Sequence, residues 1–181
     1  MVIIKEMNPE HTSDWFDFFD NRAFADHEDW KGCYCTGPFS PRIKEYENAS
    51  RKRRDYAIWL VEKGIMRGYL AFDHGKVVGW CNVSDKSAFS KLNNIQTDEE
   101  NVISITCFVI QKEYRGKGIA QKILDKIIED AKINNKKIIE AYPRRNAKTE
   151  SGNFHGPYSL YEKNGFNLEK VREVEVARRY L

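Results

Sequence analysis

The segment of the chain whose residue types and spacing best suit chemistry runs from Ile103 to Ala120. It begins as a run of valine, isoleucine, threonine and phenylalanine, which is typical of a buried strand, and passes through Arg115-Gly116-Lys117-Gly118 into an amphipathic helix. Glycines let backbone N–H groups approach a ligand closely, and a helix N-terminus adds unpaired donors and a partial positive charge. Such a turn binds phosphate, and Arg115 and Lys117 add full charges.

Two common phosphate-binding loops do not fit this stretch. A Walker loop requires Gly-Lys followed by Ser or Thr, whereas Gly118 follows Lys117 here. A dinucleotide-binding fingerprint requires a third glycine three residues beyond the second, and that position is Gln121. Taken alone, the turn also agrees with a simple tight connection between a strand and a helix.

A second informative segment is Leu160-Tyr161-Glu162-Lys163-Asn164-Gly165-Phe166. It predicts a short helix over 157–164 that ends at Gly165 in a left-handed cap, with Phe166 packing back against the helix. The two segments together resemble the GCN5-related N-acetyltransferase (GNAT) family. That family's coenzyme signature is Gln or Arg, two residues, Gly, one residue, then Gly or Ala, and its later segment reads Leu-Tyr-x-x-x-Gly-Phe. The resemblance is strong over residues 67–175 and rests only on element order before them.

The resemblance implies an acyl-CoA-dependent N-acyltransferase with acetyl-CoA as co-substrate. The backbone of Phe108 and Val109 would pair with the pantetheine arm, and a backbone N–H of residues 107–109 would polarise the thioester carbonyl. His155-Gly156-Pro157 departs from the family, which often has Asn and Ala here, so Asn153 is the nearest candidate for the coenzyme-contacting asparagine. The coenzyme-binding residues expected on this basis are Cys107, Phe108, Val109, Arg115, Gly116, Lys117, Gly118, Ile119, Ala120 and Asn153.

Direct transfer in a ternary complex needs a base for the amine and an acid for the departing sulfur. Tyr161 matches the family's tyrosine that hydrogen-bonds the thioester sulfur, with packing against Phe166 as the alternative. Glu140 is a candidate base, with an ion pair to a neighbouring lysine as the alternative. The acceptor site is expected in the N-terminal half, with Trp30, Tyr34, Phe39, His155 and the loop 84–100 as candidates. Small amines, polyamines, aminoglycosides, protein N-termini and lysines all stay open as acceptors.

The pair Cys33-x-Cys35, with His27 nearby, raises the question of a metal. Zinc sites usually need a second Cys or His pair, so no metal is expected, and packing or a place in the acceptor cleft is favoured. Nucleophilic catalysis by either cysteine lacks a base in the local sequence. The basic run 51–54 reads as a solvated helix face or as a surface that steers an anionic cofactor.

The bulk properties of the chain bear on domain number, nucleic-acid binding and location. The 181 residues, 41% hydrophobic, predict one domain over 1–181. The net charge of +3, from 30 basic and 27 acidic residues, gives no argument for nucleic acid. No apolar run reaches a membrane span and no signal peptide is visible, so a cytoplasmic protein without a membrane partner is expected.

The elements predict a mixed α/β fold, in which a mostly antiparallel twisted sheet is flanked by helices. Helices are expected over about 43–63, 116–134 and 157–164, besides one after Pro9, and strands over 2–7, 67–72, 77–83, 102–111, 136–142 and 167–180. A monomer or a homodimer is expected, with an exposed final strand offering an edge for pairing. Two other functions stay open: a non-catalytic acyl-CoA sensor on the same fold, and an interaction module that uses the basic helix.

Overall fold

A computed structural model describes residues 1–39, 50–95, 97, 99–145 and 153–181 of the chain. Strands and α-helices follow one another there as β1 (Ile3–Glu6), α1 (Thr12–Asn21), α2 (Ser50–Glu62), β2 (Gly68–Asp73), β3 (Lys76–Asp85), β4 (Val102–Ile110), α3 (Ile119–Ile133), β5 (Ile138–Ala141), α4 (Tyr158–Lys163), β6 (Asn167–Val171) and β7 (Val174–Tyr180).

The strands form one seven-stranded sheet in the order β1-β2-β3-β4-β5-β7-β6. Every neighbouring pair is antiparallel except β4 and β5, which run parallel. This parallel pair is joined through α3, as a parallel connection requires a crossover. The mixed α/β fold with a mostly antiparallel sheet, predicted from the sequence, is confirmed.

The sheet opens between β4 and β5 because one strand is longer and bent. Their pairing ends at Ile105 and Ala141, whereas β4 continues to Ile110 beside β3. Thr106 is an extra residue on β4, since Val83 pairs with Ile105 and the next residue of β3, Asn82, pairs with Cys107. A bulge of this kind bends its strand and increases the local twist. The second half of β4 therefore leaves β5 and forms one wall of an opening.

Two apolar cores lie on opposite faces of the sheet, because successive strand residues point to opposite sides. Trp80 belongs to the core that packs under α1 and α2, whereas the next residue, Cys81, belongs to the core under α3 and α4. The first core is rich in aromatic rings, with Trp15 and Trp80 at 5.4 Å between ring centroids. The second is built on the buried stripe of α3, which includes Ile119, Ile123 and Ile127, as its four-residue spacing predicts.

Two local turns follow the sequence rules closely. The β2–β3 hairpin turns at His74 and Gly75, with φ of +46° and +74°, as a two-residue hairpin loop requires. Helix α4 ends with Gly165 at φ +71°, and the N–H of Phe166 donates to the Tyr161 carbonyl at 3.1 Å. The predicted glycine cap and the return of Phe166 onto the helix are both confirmed, the latter by ring packing on Tyr161.

Other boundaries differ from expectation for physical reasons. Helix α3 begins at Ile119 rather than at Gly116, because Gly116 and Gly118 hold left-handed φ of +71° and +76°. The described part of α2 begins at Ser50, and the expected stretch 43–49 lies outside the described residues. The expectation of an exposed final strand is wrong: β7 lies between β5 and β6, so the edge strands of the described sheet are β1 and β6. None of the helices within the described ranges is long and apolar enough to cross a membrane.

Candidate functional site

A cleft of about 930 Å³ lies beside the part of β4 that extends past β5. Its floor is the second half of β4, and its walls are the turn into α3, the N-terminal half of α4 with the loop before it, and the segment after α1. The described lining contains these predicted residues: Trp30, Cys107, Phe108, Val109, Arg115, Gly116, Gly118, Ile119, Ala120 and Asn153. One continuous space thus joins the expected coenzyme residues to one expected acceptor residue.

The turn into α3 forms a cradle of backbone groups at one end of this cleft. A methyl group added to Gly116 or Gly118 would meet no atom of the protein within 4 Å, so both residues face open space. Gly118 is the N-cap of α3 and supplies no side chain to its first turn. Because the first N–H groups of a helix have no carbonyl partner within it, the cradle presents donors and a positive dipole end to the cleft. It is suited to an anion such as pyrophosphate.

The two cations of the turn are placed differently. Arg115 lines the cleft, yet its guanidinium donates to both carboxylate oxygens of Asp26, at 2.6 and 3.2 Å, and to the Ile110 carbonyl at 3.0 Å. The hydrogen bond from Arg115 lowers the pKa of Asp26, so that carboxylate stays charged. Lys117 is exposed with its ammonium 5.4 Å from the Tyr114 ring centroid, outside the described lining. Arg115 therefore fastens the cradle to the segment after α1.

The N–H of Phe108, an expected partner of the coenzyme, already has an acceptor. It donates to the carbonyl of Phe154 at 2.6 Å. Residues 153–156 therefore lie against the bend of β4, in the gap left by β5. The ring of His155 lies 3.8 Å from that of Phe154. Burial lowers the pKa of His155 to about 4, against a weaker opposing hydrogen bond to the Thr106 backbone. A coenzyme arm that paired with Phe108 would have to exchange with the Phe154 carbonyl.

Tyr161 lies directly behind the wall of the cleft. Its side chain is fully buried, and its hydroxyl donates to the His155 carbonyl at 2.5 Å. Burial raises the pKa of Tyr161 well above its usual value, so the hydroxyl stays protonated. Gly156 separates it from the cleft: a methyl group there would come within 2.9 Å of the hydroxyl. The acid role of Tyr161 stays a prediction, and the packing alternative agrees with its contact to Phe166.

The candidate acceptor residues separate into two groups. Trp30 lines the cleft and stacks on His27 at 4.1 Å between centroids. Tyr34 and Phe39 lie instead in the aromatic core, where Tyr34 donates to Asp20 at 2.6 Å and Phe39 packs on Phe89. The core buries both rings, so neither belongs to the described lining. His155 is not part of that lining either.

Glu140 lies on β5 with no exposed surface. Its carboxylate accepts from Arg178 at 2.8 Å and from the Tyr142 hydroxyl at 2.9 Å, and it lies 2.7 Å from the Lys86 ammonium. The alternative that Glu140 pairs with a lysine is therefore confirmed. The carboxylate is not part of the described lining, and its role as a base stays a prediction.

Several residues of the site carried no signal in the sequence. Phe24, Asp29 and Lys31 line the cleft together with Trp30, and only the path of the chain after α1 brings them there. Arg53, from the basic run on α2, also lines the cleft. Cys33 also lines the cleft, as one sequence interpretation expects. Within the described ranges, His, Cys, Asp and Glu side chains form no group of three or more that could hold a metal ion.

Comparisons with known proteins bear on this geometry. Residues 5–166 match the model of the acetyltransferase (GNAT) family. Among curated protein sequences, none matches this chain significantly. The fold is similar to that of the PaiA N-acetyltransferase from Thermoplasma acidophilum in complex with coenzyme A, with a TM-score of 0.59, 14% identity, and 100% and 99% of the two chains covered.

Two further solved structures share the fold. A GNAT acetyltransferase from Streptococcus pneumoniae has a TM-score of 0.59 at 17% identity, with 100% of both chains covered. The ribosomal-protein-alanine N-acetyltransferase from Brucella melitensis has a TM-score of 0.57 at 13% identity, with 99% of both chains covered. These likenesses show the fold, and the family match spans most of the sequence. With its glycine cradle, its bent β4 and this match, the chain belongs to the GNAT family of acetyltransferases.

Proposed function

We propose that this chain moves an acyl group, acetyl by default, from a coenzyme A thioester directly to an amine while both are bound. The observation that carries the proposal is the cradle of Gly116 and Gly118 at one end of a cleft that follows β4. The cradle suits the pyrophosphate. The part of β4 beyond Ile105, which has no strand on the β5 side, suits an extended arm that carries amide groups, because such an arm can add to the strand once it replaces the Phe154 carbonyl as the partner of Phe108.

The acyl group would then lie near Cys107 and Phe108, where the cleft continues toward Trp30. A backbone N–H of the 107–109 strand would stabilise negative charge on the thioester oxygen. Tyr161 is protonated and would give its proton to the departing sulfur, once its bond to the His155 carbonyl exchanges. A carboxylate, or a water held by one, would take the proton of the amine. The candidate from the sequence, Glu140, pairs with two cations outside the described lining, so we assign it a structural role and leave the base unassigned.

The acceptor end of the cleft carries charges of both signs, from Asp29, Lys31 and Arg53, beside the ring of Trp30. Lys31 pairs with Glu28 at 2.5 Å. An aromatic ring beside a carboxylate suits a cationic amine, and an arginine beside them suits an acceptor that also has an anionic group. A small or peptidic amine that carries a carboxylate is the first class to try.

The direct experiment measures coenzyme A binding by calorimetry and then free thiol release from acetyl-CoA with a panel of amines. Tight binding with amine-dependent thiol release supports the transferase. Binding with no turnover on any amine supports the sensor alternative, which agrees with the Tyr161 hydroxyl being bonded to the His155 carbonyl. Absence of binding rejects both functions.

A matched pair of glycine variants locates the binding. Gly118→Ala and Gly75→Ala both place a methyl group at φ near +75° in open space, so both strain the backbone by about 1 kcal/mol. Only Gly118 faces the cleft. Loss of charge-assisted hydrogen bonds costs about 1.5–3 kcal/mol, so Gly118→Ala should weaken coenzyme A binding by about 10- to 100-fold, while Gly75→Ala leaves the affinity unchanged. Equal affinities would remove the cradle from the binding site.

A further inference from the structure

Three of the four cysteines meet at the acceptor end of the cleft, all as free thiols. Cys33 and Cys107 line the cleft, and Cys35 lies buried behind them. The Sγ atoms of Cys35 and Cys107 are 3.1 Å apart, which is about 1 Å more than a disulfide bond of about 2.0 Å. Cys81, the fourth cysteine, is fully buried in the core under α3 and α4.

The fold holds this thiol pair in place from three sides. Cys35 has a φ of +52°, a left-handed conformation that costs a residue with a side chain about 1–2 kcal/mol. Its carbonyl accepts a hydrogen bond from the Asn82 side chain at 3.1 Å. Asn82 in turn pairs with Cys107 across the β3–β4 ladder. A strained backbone that is kept by its surroundings is a common mark of a functional position, and here one asparagine fixes both cysteines.

We propose that Cys35 and Cys107 are an oxidation site, at which a peroxide that enters the cleft converts the two thiols into a reversible disulfide bond. Cys107 reaches the cleft and reacts first: its sulfur attacks the peroxide O–O bond, which gives a sulfenic acid and one water. Cys35 then attacks that sulfur, the S–S bond forms and a second water leaves. Two thiols are oxidised by two electrons, and the peroxide is reduced to two waters.

The surroundings of the two thiols indicate which of them reacts with the peroxide first. Hydrogen bonding to Cys107, together with burial, raises the pKa of the Cys35 thiol, and its side chain is only 4% exposed. A raised pKa leaves little thiolate, so Cys35 reacts slowly with free peroxide. Its sulfur already lies 3.1 Å from that of Cys107, so a sulfenic acid formed on Cys107 is held beside it. Cys33 also interacts with the Cys35 thiol, but a bridge across a single residue closes a small ring that strains the disulfide dihedral. Cys107, with its sulfur 3.1 Å away, is the better partner.

The inference goes beyond acyl transfer and does not depend on it, so the experiment reads the bond itself. The full-length protein is reduced, desalted, treated with hydrogen peroxide and blocked with N-ethylmaleimide. Trypsin leaves Cys33 and Cys35 together on peptide 32–42 and Cys107 on peptide 92–112, and chymotrypsin then cuts after Tyr34 to separate the first two. Mass spectrometry without reductant should find Cys35 joined to Cys107, two hydrogens lighter than the free peptides, and dithiothreitol should release them.

Two variants and an unfolded control test whether the folded chain selects the bridge between Cys35 and Cys107. Cys33→Ser should retain the bridge, and Cys107→Ser should remove it. Protein oxidised in urea should give a mixture of pairings, since the folded chain selects one. A bridge between Cys33 and Cys35, a bridge between two chains, or full labelling of Cys35 and Cys107 after peroxide treatment of the folded wild-type protein would each overturn the proposal.

Discussion

Replacing Glu140 with glutamine separates the two roles that the sequence leaves open for this residue. Its carboxylate is fully buried and faces two cations, Arg178 and Lys86, whose side chains are only 11% and 13% exposed. Glutamine has nearly the same shape and keeps one oxygen that can accept from Arg178 or Tyr142. It removes the negative charge, so two largely buried cations lose their shared partner.

The size of the effect follows from that loss. Removal of one partner from a buried ion pair costs about 3–5 kcal/mol, and the remaining oxygen of glutamine, together with the Arg178 contact to Glu169, favours the lower end. We expect the free energy of unfolding to fall by about 3 kcal/mol. For a chain of this length, that corresponds to a decrease in Tm of about 6–12 °C.

Urea unfolding followed by circular dichroism measures the change, and Glu169→Gln is the matched control. Glu169 contacts the same guanidinium but is 46% exposed, so its replacement should cost less than about 1 kcal/mol. Acyl transfer per folded molecule should stay close to wild type for both variants. If Glu140→Gln instead leaves stability unchanged and lowers turnover by about 100-fold or more, the typical contribution of a general base, the structural interpretation is refuted.

Three further predictions concern the residues around the cleft. Tyr161→Phe leaves the His155 carbonyl without its donor and should cost about 1–3 kcal/mol of stability, with turnover reduced much more than coenzyme affinity; an unchanged rate per folded molecule would remove Tyr161 from the mechanism. Asp26→Asn breaks the two-pronged contact with Arg115 and should lower Tm in the absence of coenzyme, while added coenzyme A still stabilises the variant in a thermal-shift assay. Because burial lowers the pKa of His155 to about 4 from an unfolded value of about 6.5, only the unfolded chain binds the proton between those values. Stability should therefore fall as the pH drops from about 6.5 to about 4, by at most about 3 kcal/mol, and a pH series of urea midpoints should show a smaller loss for His155→Gln.

The sequence predicts the structure well where residues close together in the chain decide it. The strand, glycine turn and helix from Ile103 onward, and the cap at Gly165, depend on residues a few positions apart, and both were predicted. The cleft itself depends on contacts between distant segments: Arg115 with Asp26, and Phe108 with Phe154. The periodicity of apolar residues along the chain gives no information on such pairs.

The bend in β4 shows the same limit within one strand. The run from Val102 to Ile110 is apolar apart from Ser104 and Thr106, and both are residues that an ordinary strand accepts. The sequence therefore gives no sign that Thr106 is the extra residue opposite β3. The position of β7 inside the sheet was missed for a related reason, because strand order is decided by packing between hairpins and not by the strands' own sequences. Tyr34 and Phe39 likewise read as cleft residues by type, although the core buries them.

Strand β4 is the only wall, among the described strands, that the two ends of the cleft have in common. Its side chains alternate between the two cores, with Cys107 and Val109 in one and Ile105 and Phe108 in the other. Substitutions that enlarge or reshape the aromatic half therefore reach the half beside the glycine cradle only through the backbone of this one strand. Because the two halves share only this strand, substitutions can change the aromatic half of the cleft during evolution while the glycine cradle stays the same.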